Sequence, residues 1–99
     1  MIHVVAIITA IPGQRDVLLK LFKSNVPAVH AEDGCIEYSA VIDTNGAEPA
    51  FGPDTFIVIE KWRDMAALKA HAVAPHMRAY AAKAKDLLAS RAVHVLQAA

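Results

Sequence analysis

The sequence predicts one α+β domain of the ferredoxin-like class, with the element order β-α-β-β-α-β and an antiparallel sheet. Three observations support this prediction. The chain has 99 residues, which is the length of a single domain. Runs rich in β-branched residues alternate with segments whose apolar residues recur every three or four positions. Turn-forming pairs such as Pro12-Gly13 and Asp33-Gly34 separate these segments.

The first half of the chain contains two predicted strands and one long helix. Residues Ile2 to Ile11 form the first strand. An amphipathic helix runs from Gln14 to the turn at Asp33-Gly34. We expect Pro27 to kink or restart this helix, because proline lacks the amide donor of a helical residue. Residues Cys35 to Ile42 form the second strand.

The second half begins with a loop, Thr44 to Pro53, that is too long for a tight hairpin turn. Asp54 to Trp62 is the third strand, and Asp64 is the expected N-cap of a short helix. Pro75 is expected to begin the last helix, and Ala92 to Leu96 is the last strand. The apolar face of the last helix is predicted to carry Met77, Tyr80, Ala81, Ala84 and Leu88, while Arg78, Lys85 and Asp86 point outward.

Both faces of the predicted sheet are apolar, which is unusual for a sheet with helices on one side only. The first strand places Val4 and Ala6 on one face and Val5 and Ile7 on the other. The chain has no further element to cover the second face. We therefore predict a face-to-face homodimer, in which a second copy covers it. The sequence leaves open which of the two sets faces the helices.

Composition and charge exclude several classes of function. Ten Lys and Arg residues balance ten Asp and Glu residues, whereas a nucleic-acid-binding domain normally has a basic excess. No apolar run is long enough to cross a membrane, and the single Cys35 cannot form an internal disulfide. No glycine-rich phosphate loop is present. We expect a cytoplasmic protein without nucleic-acid or membrane partners.

The candidate chemistry lies on the third strand and on the segments that follow it. One face of that strand carries Phe56, Val58, Glu60 and Trp62. His71 lies on the apolar side of the next helix, and His76 follows Pro75. A carboxylate beside an imidazole is typical of a general base, although each residue alone could also be an ordinary core residue. The five-residue spacing of the two histidines does not match a helical metal motif, so we expect no metal site.

Three short motifs can be read in order along the chain. They are Glu32-x-Gly34-Cys35-x-x-Tyr38, then Glu60-Lys61-Trp62 with Asp64 and His71 after it, then Pro75-His76-Met77. This arrangement resembles the antibiotic biosynthesis monooxygenase family, and within it the members described as quinol monooxygenases. The resemblance extends over almost the whole domain.

The resemblance implies a dimeric α/β barrel that oxygenates a small quinol or phenolic aromatic with dioxygen. It implies no flavin, haem or metal, and thus no cofactor. By the family pattern, Trp62 holds the substrate, His71 accepts a proton and Glu60 orients His71. Tyr38 and His76 are expected on the rim of the pocket. Phe56 and Val58 are expected to contribute to substrate binding.

The residue at position 58 differs from that of some family members. Members that act on polyketides have an asparagine four residues before this tryptophan, where this chain has Val58. The difference favours small quinols as substrates.

Two alternative functions stay open. One alternative is an isomerase of a small phosphorylated ketone, which needs cations in the pocket and for which Arg78 is the expected source. Another is a non-catalytic dimeric domain that binds a small aromatic.

Overall fold

The computed structural model describes residues 1–99 and contains four strands and three α-helices. In chain order they are β1 (Ile2–Ala10), α1 (Arg15–His30), β2 (Cys35–Val41), β3 (Thr55–Trp62), α2 (Met65–Ala72), α3 (Pro75–Ala84) and β4 (Leu88–Leu96). A 3₁₀ turn, Lys85–Leu87, joins α3 to β4. None of the helices combines the length and the apolar character that crossing a membrane requires.

The four strands form one antiparallel sheet in the order β2-β3-β1-β4. β1 is central and pairs with β3 on one side and with β4 on the other. Neighbours in the sheet are therefore not always neighbours in the chain, and helices make the two crossovers. This topology confirms the ferredoxin-like α+β fold predicted from the sequence.

The helices pack on one face of the sheet and bury alternate residues of β1. Val4 is 1% exposed and Ala6 is 5% exposed, and both belong to a core cluster that includes Leu18 of α1. Val5 and Ile7 point to the opposite face and are only half-buried. The structure thus decides a question that the sequence left open, because it assigns the Val4 set to the helix side.

α1 is one helix from Arg15 to His30 and continues through Pro27, so the predicted restart is wrong. Pro27 cannot donate to the carbonyl of Lys23. Both residues are exposed, and water can therefore hydrogen-bond to that carbonyl. The helix also ends before the predicted turn, and Gly34 belongs to the connection to β2 with a positive φ of 84°.

Four strand ends differ from the prediction, and three of them differ by one residue only. Among these three, β2 ends at Val41 and β3 begins at Thr55. β4 begins at Leu88, so this residue is in a strand and not in the last helix. The amide of Ile11 donates to the carbonyl of Leu87 at 2.9 Å, which ties the 3₁₀ turn to the end of β1. β1 itself ends at Ala10, one residue earlier than predicted. β4 is longer than predicted because it pairs with β1 from Leu88 onward, along nearly the whole of β1.

Candidate active site

A cavity of about 430 Å³ lies between the helix-facing side of the sheet and the helices. Its volume is within the range of roughly 300–1,000 Å³ that is typical of small-molecule sites. Apolar side chains supply most of the wall, among them Val4, Ala6, Val58, Leu68, Met77 and Tyr80. The strands β1, β3 and β4 form its floor, and α2 and α3 form its roof. The cavity is therefore suited to a small apolar ligand.

Three buried polar residues line this cavity, and each comes from a different element. Glu60 of β3 is 7% exposed, His71 of α2 is 6% exposed and Tyr38 of β2 is 5% exposed. Burial raises the pKa of Glu60 above its usual range, although the hydrogen bond from the Trp62 indole, the protonated form of His71 and the charge of Arg91 act in the opposite sense. Burial likewise raises the pKa of Tyr38, whose phenol stays protonated at neutral pH. The sequence predicted all three residues as part of the site, and the structure brings them together.

Trp62 lies behind the cavity and does not line it. Its side chain is fully buried, and its Nε1–H donates to Oε1 of Glu60 at 2.9 Å. The centre of its ring is 4.5 Å from that of His71. Direct contact between this indole and a substrate, as expected from the resemblance, therefore does not follow from the structure. The indole instead holds the carboxyl and the imidazole in place.

The hydrogen bond that orients His71 is made by Glu32, which the sequence analysis named in a motif but did not predict as a site residue. Nδ1 of His71 donates to Oε2 of Glu32 at 2.8 Å, whereas its Nε2 is 4.0 Å from Oε1 of Glu60. Glu60 is thus a neighbour of the imidazole and not its hydrogen-bond partner. A carboxylate oxygen accepts hydrogen bonds only, so the contact assigns the proton to Nδ1 and leaves Nε2 free to accept one.

The chain brings Glu32 to His71 by a tight turn against α2. A Cβ atom on Gly34 would lie 2.6 Å from Cβ of Ala67, so only glycine permits this close approach. Arg63 donates its backbone amide to the carbonyl of Gly34 and its guanidinium to both carboxylate oxygens of Asp33 at 3.0 and 3.1 Å. These contacts hold the turn. The Glu-x-Gly spacing in the sequence was the available signal for Glu32.

The remaining predicted site residues have supporting positions. His76 donates its Nε2–H to Oε2 of Glu32 at 2.7 Å and does not line the cavity. Phe56 is fully buried and also lies outside the lining, so a direct contact with substrate does not follow for it either. Val58 does line the cavity. Glu32 therefore bridges two imidazoles, of which only that of His71 borders the cavity.

The cationic residues that line the cavity differ from the one that the sequence predicted. Arg78 is exposed on α3 and does not line the cavity. Lys69, Lys85 and Arg91 do line it, although Lys85 was predicted to point outward. The chain turns after Ala84, and this turn brings Lys85 back toward the sheet.

No group of three or more His, Cys, Asp or Glu side chains is arranged to hold a metal ion. One ring nitrogen of His71 and one of His76 are hydrogen-bonded to the same carboxylate oxygen of Glu32. What these three residues can do chemically is restrain an imidazole and balance the positive charge that forms when the imidazole takes a proton. The remaining nitrogen of His71 is the group available for proton transfer.

The sequence profile described as antibiotic biosynthesis monooxygenase matches residues 1–83. The chain belongs to this family. The probable quinol monooxygenase YgiN of Escherichia coli (strain K12) is 35% identical over 101 residues, which cover 98% of this chain and 97% of the relative. The family resemblance inferred from the sequence motifs is thereby confirmed.

Solved structures show the same fold. PA3566 from Pseudomonas aeruginosa superposes with a TM-score of 0.84 at 28% identity, covering 99% of this chain and 93% of that one. Rv0793 from Mycobacterium tuberculosis has a TM-score of 0.82 at 28% identity, covering 99% and 94%. A crystal structure described as an antibiotic biosynthesis monooxygenase has a TM-score of 0.83 at 25% identity, covering 100% and 99%. These three proteins therefore share the ferredoxin-like domain described above.

Proposed function

We propose that this protein is a cofactor-independent monooxygenase that oxidises a small quinol or phenolic aromatic with dioxygen. The observation that carries the proposal is the imidazole of His71. Glu32 holds its Nδ1 at 2.8 Å, and the ring borders an apolar cavity of about 430 Å³. The name of the relative YgiN, a probable quinol monooxygenase, supports the same class of substrate.

The reaction needs no external reductant, because the quinol supplies all the electrons. His71 takes a proton from a phenolic hydroxyl, and the resulting anion passes one electron to dioxygen. The two radicals combine at a ring carbon to give a hydroperoxide after protonation. Loss of water then leaves a hydroxyquinone. One oxygen atom enters the ring and the other leaves as water, so that one quinol and one dioxygen give one hydroxyquinone and one water.

The other residues assist this step in distinct ways. Glu32 orients His71 and stabilises its protonated form. Glu60 and Tyr38 line the cavity beside His71, and we assign them to the oxygen substituents of the substrate. Trp62 acts as a positioning residue through its hydrogen bond to Glu60. Phe56 and His76 support the site from behind, and Val58 forms its apolar wall, which favours small quinols.

We also propose that the protein acts as a homodimer. The face of the sheet opposite the helices carries Val5, Ile7 and Ile59, all partly accessible in one protomer. A second copy packed face to face would cover them, and the two sheets would form a barrel.

The test replaces His71 by Gln and by Ala. The Gln side chain can still donate to Glu32 but cannot act as a base. We expect oxygen consumption with 1,4-naphthalenediol, corrected for the uncatalysed rate, to fall by roughly 10²–10⁴-fold in both variants. The remaining activity should rise with pH, since solvent then deprotonates the substrate. Activity of the native protein should survive treatment with a chelator.

Melting temperature measured on the same samples separates catalysis from folding. His71→Gln should melt close to the native protein, whereas His71→Ala leaves Glu32 without one of its two donors. Normal turnover per folded molecule in His71→Gln would remove His71 as the base. Activity that is lost on chelation and restored by iron would overturn cofactor independence.

A second candidate function is favoured by the cations of the cavity. Lys69, Lys85 and Arg91 could hold the phosphate of a small phosphorylated ketone, which an isomerase would bind. The mostly apolar wall is a poor match for such a polar substrate. Turnover of a phosphorylated ketone without oxygen consumption would favour the isomerase. Tight binding of aromatics with neither activity would favour a non-catalytic binding domain.

A further inference from the structure

Three cationic side chains lie around the cavity although nothing in the proposed chemistry requires them. Lys69 comes from α2, Lys85 from the turn after α3 and Arg91 from β4. All three are exposed residues, whereas Glu60 and His71 are nearly inaccessible. The cations therefore mark the opening of the cavity, and the buried carboxyl and imidazole mark its inner end.

None of these three cations is paired with a carboxylate. The Lys and Arg residues that have an acidic partner within 4.0 Å are Arg15, Lys61 and Arg63. Seven of the ten Lys and Arg residues have no such partner, so what distinguishes Lys69, Lys85 and Arg91 is that all three border the same cavity. Such a cluster creates a positive potential at the opening.

The positive charge of Arg91 affects residues that line the cavity as well as the potential at its opening. Its side chain is in the register of β4 opposite Ile8, on the same face as the cavity. Burial raises the pKa of Tyr80, and the charge of Arg91 works against that rise. The guanidinium therefore lies close enough to influence groups that line the cavity. Its planar donors are suited to bidentate binding of a carboxylate.

We infer that the ligand of this cavity is an aromatic that carries an anionic group, with its ring among the apolar side chains and the anion bound by Arg91, Lys85 and Lys69 at the opening. This inference deepens the proposed function and rests on it for the reaction, since the phenolic hydroxyl would then reach His71 at the inner end. The exposure of the polar groups supports it, because the carboxyl and imidazole in the cavity lining are buried whereas the three cations in it are exposed.

The test measures binding of unreactive ligands by calorimetry at low ionic strength. 1-Naphthoate is compared with 1-naphthamide, which has nearly the same shape without the charge, and with 1-naphthyl phosphate. We expect both anions to bind about five- to tenfold more tightly than the amide. The difference should shrink as salt is added, because the cations are exposed. The more tightly bound anion identifies the group as carboxylate or phosphate.

Variants assign the effect to the named cations. Arg91→Gln should remove most of the preference for the anion, and the combined change of Arg91, Lys85 and Lys69 to Gln should abolish it. Arg78→Gln is the matched control, because Arg78 is exposed on α3 outside the cavity. It should keep the full preference.

The inference is overturned if naphthoate and naphthamide bind equally, if neither binds, or if the triple variant keeps the preference. Tighter binding of glycerol 3-phosphate than of either aromatic anion would also overturn it, because the aromatic ring would then contribute nothing. Failure of the proposed function is a separate result. It would be seen as absent oxygen consumption in a protein that still binds naphthoate more tightly than naphthamide and loses the difference in Arg91→Gln.

Discussion

Val4 and Val95 are paired across neighbouring strands and share one face of the sheet, yet Val4 is 1% exposed and Val95 is 48% exposed. The same contrast holds for the next pair on this face, in which Ala6 is 5% exposed and Val93 is 45% exposed. The central strand β1 is covered by the helices, while β4 packs mainly against β1. All four residues named here line the cavity.

The difference teaches how so small a domain forms both a core and a binding site. The sheet is one strand wider than the helix layer that covers it, so its central strand supports the fold and its edge strand forms one wall of an open cavity. Apolar residues on β1 contribute to stability by burial. Apolar residues on β4 remain accessible to a ligand. The experiments below test this division, from the largest expected effect to the smallest.

A charge placed on each face of β1 should have opposite consequences. Val4→Lys would bury an ammonium group in the core, and we expect the protein not to fold, as judged by circular dichroism. Val5→Lys places the same group on the half-buried opposite face. It should leave the protomer folded and reduce the mass in light scattering from that of a dimer to the 10.6 kDa of one chain. A native protein that is already monomeric at micromolar concentration would contradict the proposed dimer.

Trp62 tests how much the buried side of the site contributes to stability. Trp62→Ala should lower the free energy of unfolding by about 3–5 kcal/mol, because the ring is fully buried. Trp62→Phe keeps most of the packing but removes the donor to Glu60 at 2.9 Å, for a cost of about 1–3 kcal/mol. Urea denaturation measures both changes. Equal losses in the two variants would show that the hydrogen bond, and not the ring volume, dominates.

The two paired valines give the most direct comparison of core and edge. Val4→Ala should lower the free energy of unfolding by about 2 kcal/mol, whereas Val95→Ala should change it by less than about 0.5 kcal/mol. Affinity for 1-naphthoate should fall in Val95→Ala, because this side chain lines the open part of the cavity. Urea denaturation and calorimetry provide the measurements. A large loss of stability in Val95→Ala would mean that another surface covers β4.

The smallest effect concerns the pH dependence of stability. The pKa of Glu60 is raised by burial, so its contribution to stability is fully present below the unfolded pKa of about 4.3 and is lost as pH rises through the folded value. Glu60→Gln should therefore gain stability relative to the native protein as pH rises. The Arg63 side chain lowers the pKa of Asp33, so Asp33→Asn should lose stability at neutral pH and not at low pH. Urea denaturation at several pH values tests both signs.

The sequence by itself determined the elements and much of the site. Period-two patterns in β1 and β3 and the three-to-four spacing in α1 reflect which side of each element is buried, and that information is local. For this reason the fold, and the placing of Glu60 and His71 between the sheet and a helix, could be predicted, whereas Tyr38 was expected at the site only from the family resemblance. The predicted restart at Pro27 was wrong because the effect of a helical proline depends on whether the freed carbonyl of Lys23 can reach water, which is a tertiary property.

Only the tertiary structure decided which groups meet across the chain. Glu32 reaches His71 over 39 positions because the Gly34 turn closes against α2, and no periodic pattern encodes that distance. The same holds for Lys85 and Arg91, which reach one cavity from separate elements. The family resemblance implied that Trp62 contacts the substrate, yet packing placed it behind Glu60. The periodicity of apolar residues specifies which face of a strand is buried. How deeply each residue on that face is buried depends on how far the helices extend over the sheet.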